Sequence, residues 1–238
     1  YRAQSMAASL PVSYFVPYIG YWQLIAAVDT FVVYDDVNYI KRGWVNRNRI
    51  LANGSPNYLT IPVFKASQNS KICNLDIADD TNWRAKAKKK LEHSYSKAPF
   101  FEEAFPIASR VLDIPITNLS GYLTEQLKII ADVLDLKTNI VRASDRYTDR
   151  NLEKADRLIS ICKDEGAKTY INSPGGRALY SKEYFGAEDI DLFFIDAEHF
   201  DYTQSDIEKF VPHLSILDVL FHCGVDRTKE LTQLYRLS

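Results

Sequence analysis

The feature that most constrains this chain is the pattern of its first thirty-five residues. "SLPVSYF" (9–15) reads as a strand, "VPYIG" as a tight loop, "YWQLIAAVD" (21–29) as a helix and "TFVVYD" (30–35) as a buried strand. Trp22, Ile25, Ala26 and Asp29 fall at helical spacing, whereas 30–35 is β-branched and aromatic. Strand, loop, helix, strand is a βαβ unit, which requires a right-handed crossover and favours a parallel sheet.

The rest of the chain extends that theme. Two runs flank Asn53-Gly54, a hairpin signal, and "SKICNLDI" (70–77) reads as a further strand. From Asn82 to about Leu136 the pattern is helical, with Pro106 expected to kink or divide it. "NIVRAS" (139–144), "AKTYIN" (167–172) and "IDLFFID" (190–196) read as strands. Helices are expected over 151–166, stopped by Gly166, and over 214–224 and 227–235. The fold expected is α/β, a mainly parallel sheet with flanking helices, plus a hairpin elaboration (40–77) and a helical insertion (82–136). Residues 6–238 are expected to form one domain, with residues 1–5 a cloning remnant ahead of Met6.

Bulk properties exclude several classes. A chain of 238 residues with 46% hydrophobic content can bury a substantial core. A formal net charge of -2 is unlike that of a polyanion binder, so no nucleic-acid partner is expected. Cys73, Cys162 and Cys223 are widely separated and form no disulfide framework, which suits a reducing, cytoplasmic compartment. The four histidines have no zinc-site spacing, so no metal is expected. No apolar run approaches the roughly 20 residues that span a bilayer.

Three clusters could carry chemistry. The first is "VVYDDVNYIKRGWVNRNRI" (32–50), in which Asp35 and Asp36 end a strand and Asn38, Tyr39, Lys41, Arg42, Asn46, Arg47, Asn48 and Arg49 follow. Ligands of open α/β sheets sit beyond the carboxyl ends of strands, where a carboxylate serves as base or hydroxyl acceptor. Adjacent aspartates at a strand end point to opposite faces, so one at most faces a pocket directly. Arginine forks suit phosphate or carboxylate, and Asp, Asn, Arg and Tyr together suit a sugar or nucleotide-sugar. The competing reading is a turn carboxylate and a solvated hairpin face. The second cluster is "INSPGGRALY", where Tyr170, Ser173, Gly175 and Gly176 would form a facing wall with amides open to an anion. In the third, Tyr202 and Gln204 alternate in an extended piece, while Ser215 and Asp218 read as a helix cap and His213 and His222 as surface or core residues.

Taken in order, "PVSYFVPYIGYWQLIAAVDTFVVYDDVNYIKRGWVNRNRI", "YLTIPV", "YINSPGGRALY", "FDYTQ" and "LSILDVLFHCG" resemble the WbqC-like protein family from about Ser9 to Gly224. The resemblance implies a role in bacterial surface-polysaccharide (O-antigen-like) biosynthesis. It points to a transferase acting on a sugar or nucleotide-sugar, by acyl or aminoacyl transfer to an amino sugar; it leaves any cofactor open. Members commonly open with His-Gln-Pro, where this chain has Pro11, Val12 and Ser13, and carry Trp and Gln where Tyr18 and Asn38 stand here. Two alternatives remain open: a nucleotidyltransferase-like enzyme, which would want histidines in the first loop, and a non-catalytic sugar-binding or assembly module.

Overall fold

A computed structural model describes residues 6–147, 151–152, 154–205 and 207–238. The expected remnant, 1–5, lies outside the described residues. Along the chain the strands are β1 (Ala7–Ser9), β2 (Thr30–Val33), β3 (Arg47–Ala52), β4 (Ser55–Thr60), β5 (Asn139–Arg142), β6 (Thr169–Asn172), β7 (Asp191–Ala197) and β8 (Tyr235–Leu237). The helices are α1 (Ile19–Ala26), α2 (Trp83–Tyr95), α3 (Phe101–Leu112), α4 (Leu119–Val133), α5 (Ala143–Arg146), α6 (Lys154–Asp164), α7 (Lys182–Gly186) and α8 (Ile216–Leu231).

The main sheet has the order β5-β2-β1-β6-β7-β8, parallel throughout except for β8, which runs antiparallel to β7. β1 is followed by β2 on one side and, much later, by β6 on the other. The order therefore reverses between β1 and β6, and a crevice opens beyond their carboxyl ends. Alternation on β2 feeds both layers: Phe31 and Val33 join the core with α1 and α4, while Val32 and Tyr34 face Leu158 and Cys162 of α6. The β3–β4 hairpin pairs Arg47 with Thr60 through Ala52 with Ser55 and turns at Asn53-Gly54, both at positive φ.

Several expectations need correction. The first strand ends at Ser9, so 10–18 is loop. The expected strand at 70–77 is a short 3-10 turn, Ile72–Asn74, flanked by isolated bridges. α3 runs through Pro106 undivided, since burial of Ala104, Ala108 and Val111 against its neighbours outweighs one lost hydrogen bond. Gly166 does end α6, at φ 66. Gly224, at φ 76, breaks α8 where a gap between two helices was expected. β8 was not foreseen. No helix among the described residues is long and apolar enough to cross a membrane.

Candidate functional site

The crevice between β1 and β6 is a cleft of about 910 Å³. Leu10, Pro11, Val12, Tyr14 and Tyr18 form one wall, the 172–176 turn another, and Val37, Asn38, Ile40, Gly43 and Trp44 a third. Tyr14, Tyr18, Tyr21, Tyr34, Tyr170 and Tyr180 line it, and no lining residue is Asp, Glu, Lys, Arg or His. Burial raises the phenols of Tyr14, Tyr18, Tyr170 and Tyr180, so these hydroxyls stay neutral and can both donate and accept. Asn38, Asn172 and Ser173 add uncharged polar groups.

The β1–α1 loop is held by residues from distant elements. The Val16 amide donates to Gln126 Oε1 at 2.8 Å, and Gln126 Nε2 donates to the Tyr14 carbonyl at 2.7 Å. Asn48 Nδ2 donates to the Phe15 carbonyl at 3.0 Å. Ser215 Oγ donates to the Val16 carbonyl at 2.7 Å, and Trp22 Nε1 to the Pro17 carbonyl at 3.0 Å. Val16 itself sits at φ 34, where a β-branched side chain is strained. That strain persists because the surroundings over-determine the loop. The result is a cleft wall fixed before any ligand arrives.

The structure brings only some of the expected site residues into this cleft. Tyr18, Asn38, Tyr170, Ser173, Gly175 and Gly176 line it. Asp35 and Asp36 do not. They diverge as the strand-end geometry requires, but into opposite packed layers. Asp35 is fully buried and accepts from Ser120 Oγ at 2.5 Å, from Ser144 Oγ at 2.5 Å and from the Ser144 amide at 2.9 Å. Asp36 forms a bidentate ion pair with Arg157, whose Nη1 lies 2.8 Å from Oδ1. Arg157 also stacks over the Tyr34 ring, 5.0 Å from its centroid.

The cationic hairpin is likewise turned to bracing. Arg47 and Arg49 share one face of β3 and Asn46 and Asn48 the other, buried one, as strand alternation requires. Arg47 lies 4.0 Å over the Tyr58 ring and donates to the carbonyls of Gly43 and Arg42. Arg49 Nη2 donates to the Pro212 carbonyl at 3.3 Å. Asn46 accepts from the buried Tyr39 hydroxyl at 2.8 Å and donates to the Ile61 carbonyl at 2.9 Å. Lys41 and Arg42 are exposed, between the lining residues Ile40 and Gly43. The expected joint cleft of Asp36, Asn46, Arg47 and the 173–176 turn is therefore not formed, and the cleft that exists is uncharged.

The amides expected to await an anion are partly spent too. The Ser173 amide donates to Asn172 Oδ1 at 2.8 Å and the Gly176 amide to the Ser173 carbonyl at 3.0 Å. A Cβ at Gly176 would stand 2.4 Å from Asn172 Nδ2, so glycine there admits the Asn172 amide.

Tyr202 and Gln204 belong to a different cluster, centred on the fully buried Asp218. Tyr202 and Tyr95 donate to its carboxylate at 2.6 and 2.8 Å, and Gln204 Nε2 lies 3.4 Å away. Burial and the carboxylate push both phenols up. His222 places Nδ1 2.9 Å from the Asp218 carbonyl and Nε2 3.1 Å from both the amide and Oγ of Ser205. Serine, histidine and aspartate thus adjoin, but the Nε2 lone pair already receives the Ser205 amide and the carboxylate already receives two phenols. The cluster is a clasp for the 202–205 segment. Sequence reasoning missed Gln126, Trp22 and Trp44 as site-shaping residues; the only local signal for Gln126 is a polar residue at a core position of a helix. Among the described residues, no group of three or more His, Cys, Asp or Glu could hold a metal ion.

Comparison with known proteins adds two matches. The family model described as the WbqC-like protein family matches residues 13–230. An uncharacterized protein of Mycobacterium tuberculosis is 32% identical over 216 residues, covering 90% of this chain and 92% of that one. No solved structure matches.

Proposed function

This chain belongs to the WbqC-like protein family, and from that premise we propose that it is a transferase of bacterial surface-polysaccharide biosynthesis whose cleft holds an uncharged sugar ring. One observation carries the reading: a cleft at the strand-order reversal lined by six tyrosines and Trp44, with Asn and Ser groups and no ionisable carboxylate or base. Sugar rings present apolar C–H faces to aromatic rings and hydroxyls to amides and phenols. A nucleotide-sugar fits if its diphosphate stays at the rim, where the exposed Lys41 and Arg42 flank lining residues. The chemistry would then be group transfer at a sugar hydroxyl or amine. A nucleotidyl transfer reading meets a difficulty, since a triphosphate inside this cleft would find no cationic side chain.

Titration with neutral sugars and with UDP-sugars, followed by calorimetry, tests the binding. Trp44→Ala should weaken it by about 1–2 kcal/mol, since Trp44 offers the cleft an accessible indole face. Equal affinity in wild type and Trp44→Ala would remove the sugar from this cleft. Mass spectrometry of the same mixtures separates a transferase from a binding module: transfer gives a new product mass, binding alone does not.

A further inference from the structure

A second cavity, of about 860 Å³, lies on the other side of Tyr18. It runs between the chain leaving β7 and the segment leading into α8. Tyr18 and Gly20 line both spaces. The Tyr18 ring lies over Gly20, where a Cβ would stand 2.4 Å from the ring. The partition is therefore one aromatic side chain thick.

The far wall is fixed to the same loop that shapes the first cleft. Tyr18 bridges to Ser215, and the Ile216 amide donates to the Pro17 carbonyl at 3.0 Å. His213 meets Tyr18 edge-on at 5.5 Å and is held at φ 59. Arg49 holds the preceding carbonyl, that of Pro212. Reacting atoms must approach to about 3–3.5 Å, so occupants of the two cavities meet only when the Tyr18 side chain turns aside on its fixed backbone.

The lining differs in kind from that of the first cleft. Phe210 meets Tyr202 edge-to-face at 5.1 Å, and the Tyr202 hydroxyl is tied to Asp218. Around these rings stand the carboxylates of Glu198, Asp201 and Glu208, against one lysine, Lys209. Arg236 pairs with Glu198 at 3.3 Å, and His199 lies 3.7 Å from Asp201. Glu208 makes no ion pair among the described residues. Aromatic faces beside under-compensated carboxylates attract an organic cation.

We propose that this second cavity is the subsite for the other reactant, a molecule carrying a protonated primary amine. The assignment rests on the transferase reading for its role but not for its chemistry. It divides the site into an uncharged sugar cleft and an amine subsite, with Tyr18 between them.

The test uses glucosamine as the probe and N-acetylglucosamine as a control of the same ring without the charge, both followed by saturation-transfer NMR on the full chain. Glucosamine should bind about ten-fold more tightly than the control, and Glu208→Gln or Phe210→Ala should each remove most of that difference. Both side chains are at least partly exposed, and a melting curve confirms that each variant is folded. Trp44→Ala should leave glucosamine binding intact and weaken the control, so the difference should widen. Equal affinity for the two sugars, or a preference that survives both second-cavity variants, would overturn the amine subsite. Failure of the sugar cleft reads out separately, as a Trp44→Ala variant that binds the uncharged control as wild type does.

Discussion

Asp36 offers a clean separation of structural from chemical roles. Its carboxylate is 2% exposed and the Arg157 guanidinium 6% exposed, and they meet in a bidentate pair. Asp36→Asn keeps the size and removes the charge, which leaves a buried guanidinium facing a neutral amide. Breaking a buried pair from one side costs about 3–5 kcal/mol, because the remaining charge has lost its compensation. For a chain of this length about 2–4 °C of melting temperature follows each kcal/mol, so the midpoint should fall by about 6–20 °C. The double variant Asp36→Leu/Arg157→Met removes both charges and should recover most of the loss. Urea titration of the four corners of that cycle gives the coupling directly. Affinity for a neutral sugar should change little in the single variant at a temperature where it is folded. A loss under about 1 kcal/mol, the level of an exposed pair, would refute the reasoning. An unchanged midpoint with abolished product formation would make Asp36 a catalytic carboxylate instead.

Other outcomes follow from the same contacts. Gln126→Leu strands the Val16 amide and the Tyr14 carbonyl, both held by its side chain; at about 1–3 kcal/mol for each stranded group, urea titration should show a loss of about 2–6 kcal/mol. Alkaline stability should fall above about pH 9, where unfolded-state thiols and then phenols begin to ionise. Burial pushes the Cys162 thiol up to about 12 and lifts the phenols of Tyr21, Tyr95 and Tyr170 well above their usual range. A raised folded pKa gives stability that is complete below the unfolded pKa and is lost as pH climbs through the folded one. Cys162→Ala should therefore flatten the fall between about pH 9 and 12, as seen in urea midpoints against pH. Burial also raises the Cys223 thiol to about 11, so iodoacetamide labelling of a Cys73→Ser/Cys162→Ser variant at pH 8 should run about two orders of magnitude slower than for a free thiol.

The sheet was legible because its cause is local. Apolar runs such as 30–35 and 190–196, separated by amphipathic helices, admit few arrangements other than a parallel sheet. Alternation on β3 likewise showed that Arg47 and Arg49 share a face. What the pattern could not supply was the identity of the group opposite. Arginine beside aspartate suggests an ion pair or an anion site, yet Arg47 found the Tyr58 ring and two backbone carbonyls, and Asp36 found an arginine 121 residues away. The strand at 70–77 failed for a related reason: its backbone groups are satisfied by scattered bridges to residues 38, 63 and 118 rather than by one neighbouring strand.

The density of polar residues after β2 has a different explanation from the one its composition suggests. A loop of nine residues, 10–18, carries backbone groups into the interior, and each buried amide or carbonyl there needs a partner. Asn48, Gln126 and Ser215 supply them from three separate elements, at sequence separations of 33, 110 and 199 residues. Polar side chains spent in this way are not free for a ligand; they fix the aromatic wall of the cleft. The arginines of the same stretch are held elsewhere, Arg47 by the Tyr58 ring and the carbonyls of Arg42 and Gly43 and Arg49 by the Pro212 carbonyl, so the cleft stays uncharged. The bonding of the 10–18 loop also accounts for the tolerance of strain at Val16, since relaxing that residue would release the hydrogen bonds that Gln126 and Ser215 make to its amide and carbonyl. The walls that face this loop across the cleft draw on other partners: Tyr39 bonds to Asn46, and the Ser173 amide to Asn172.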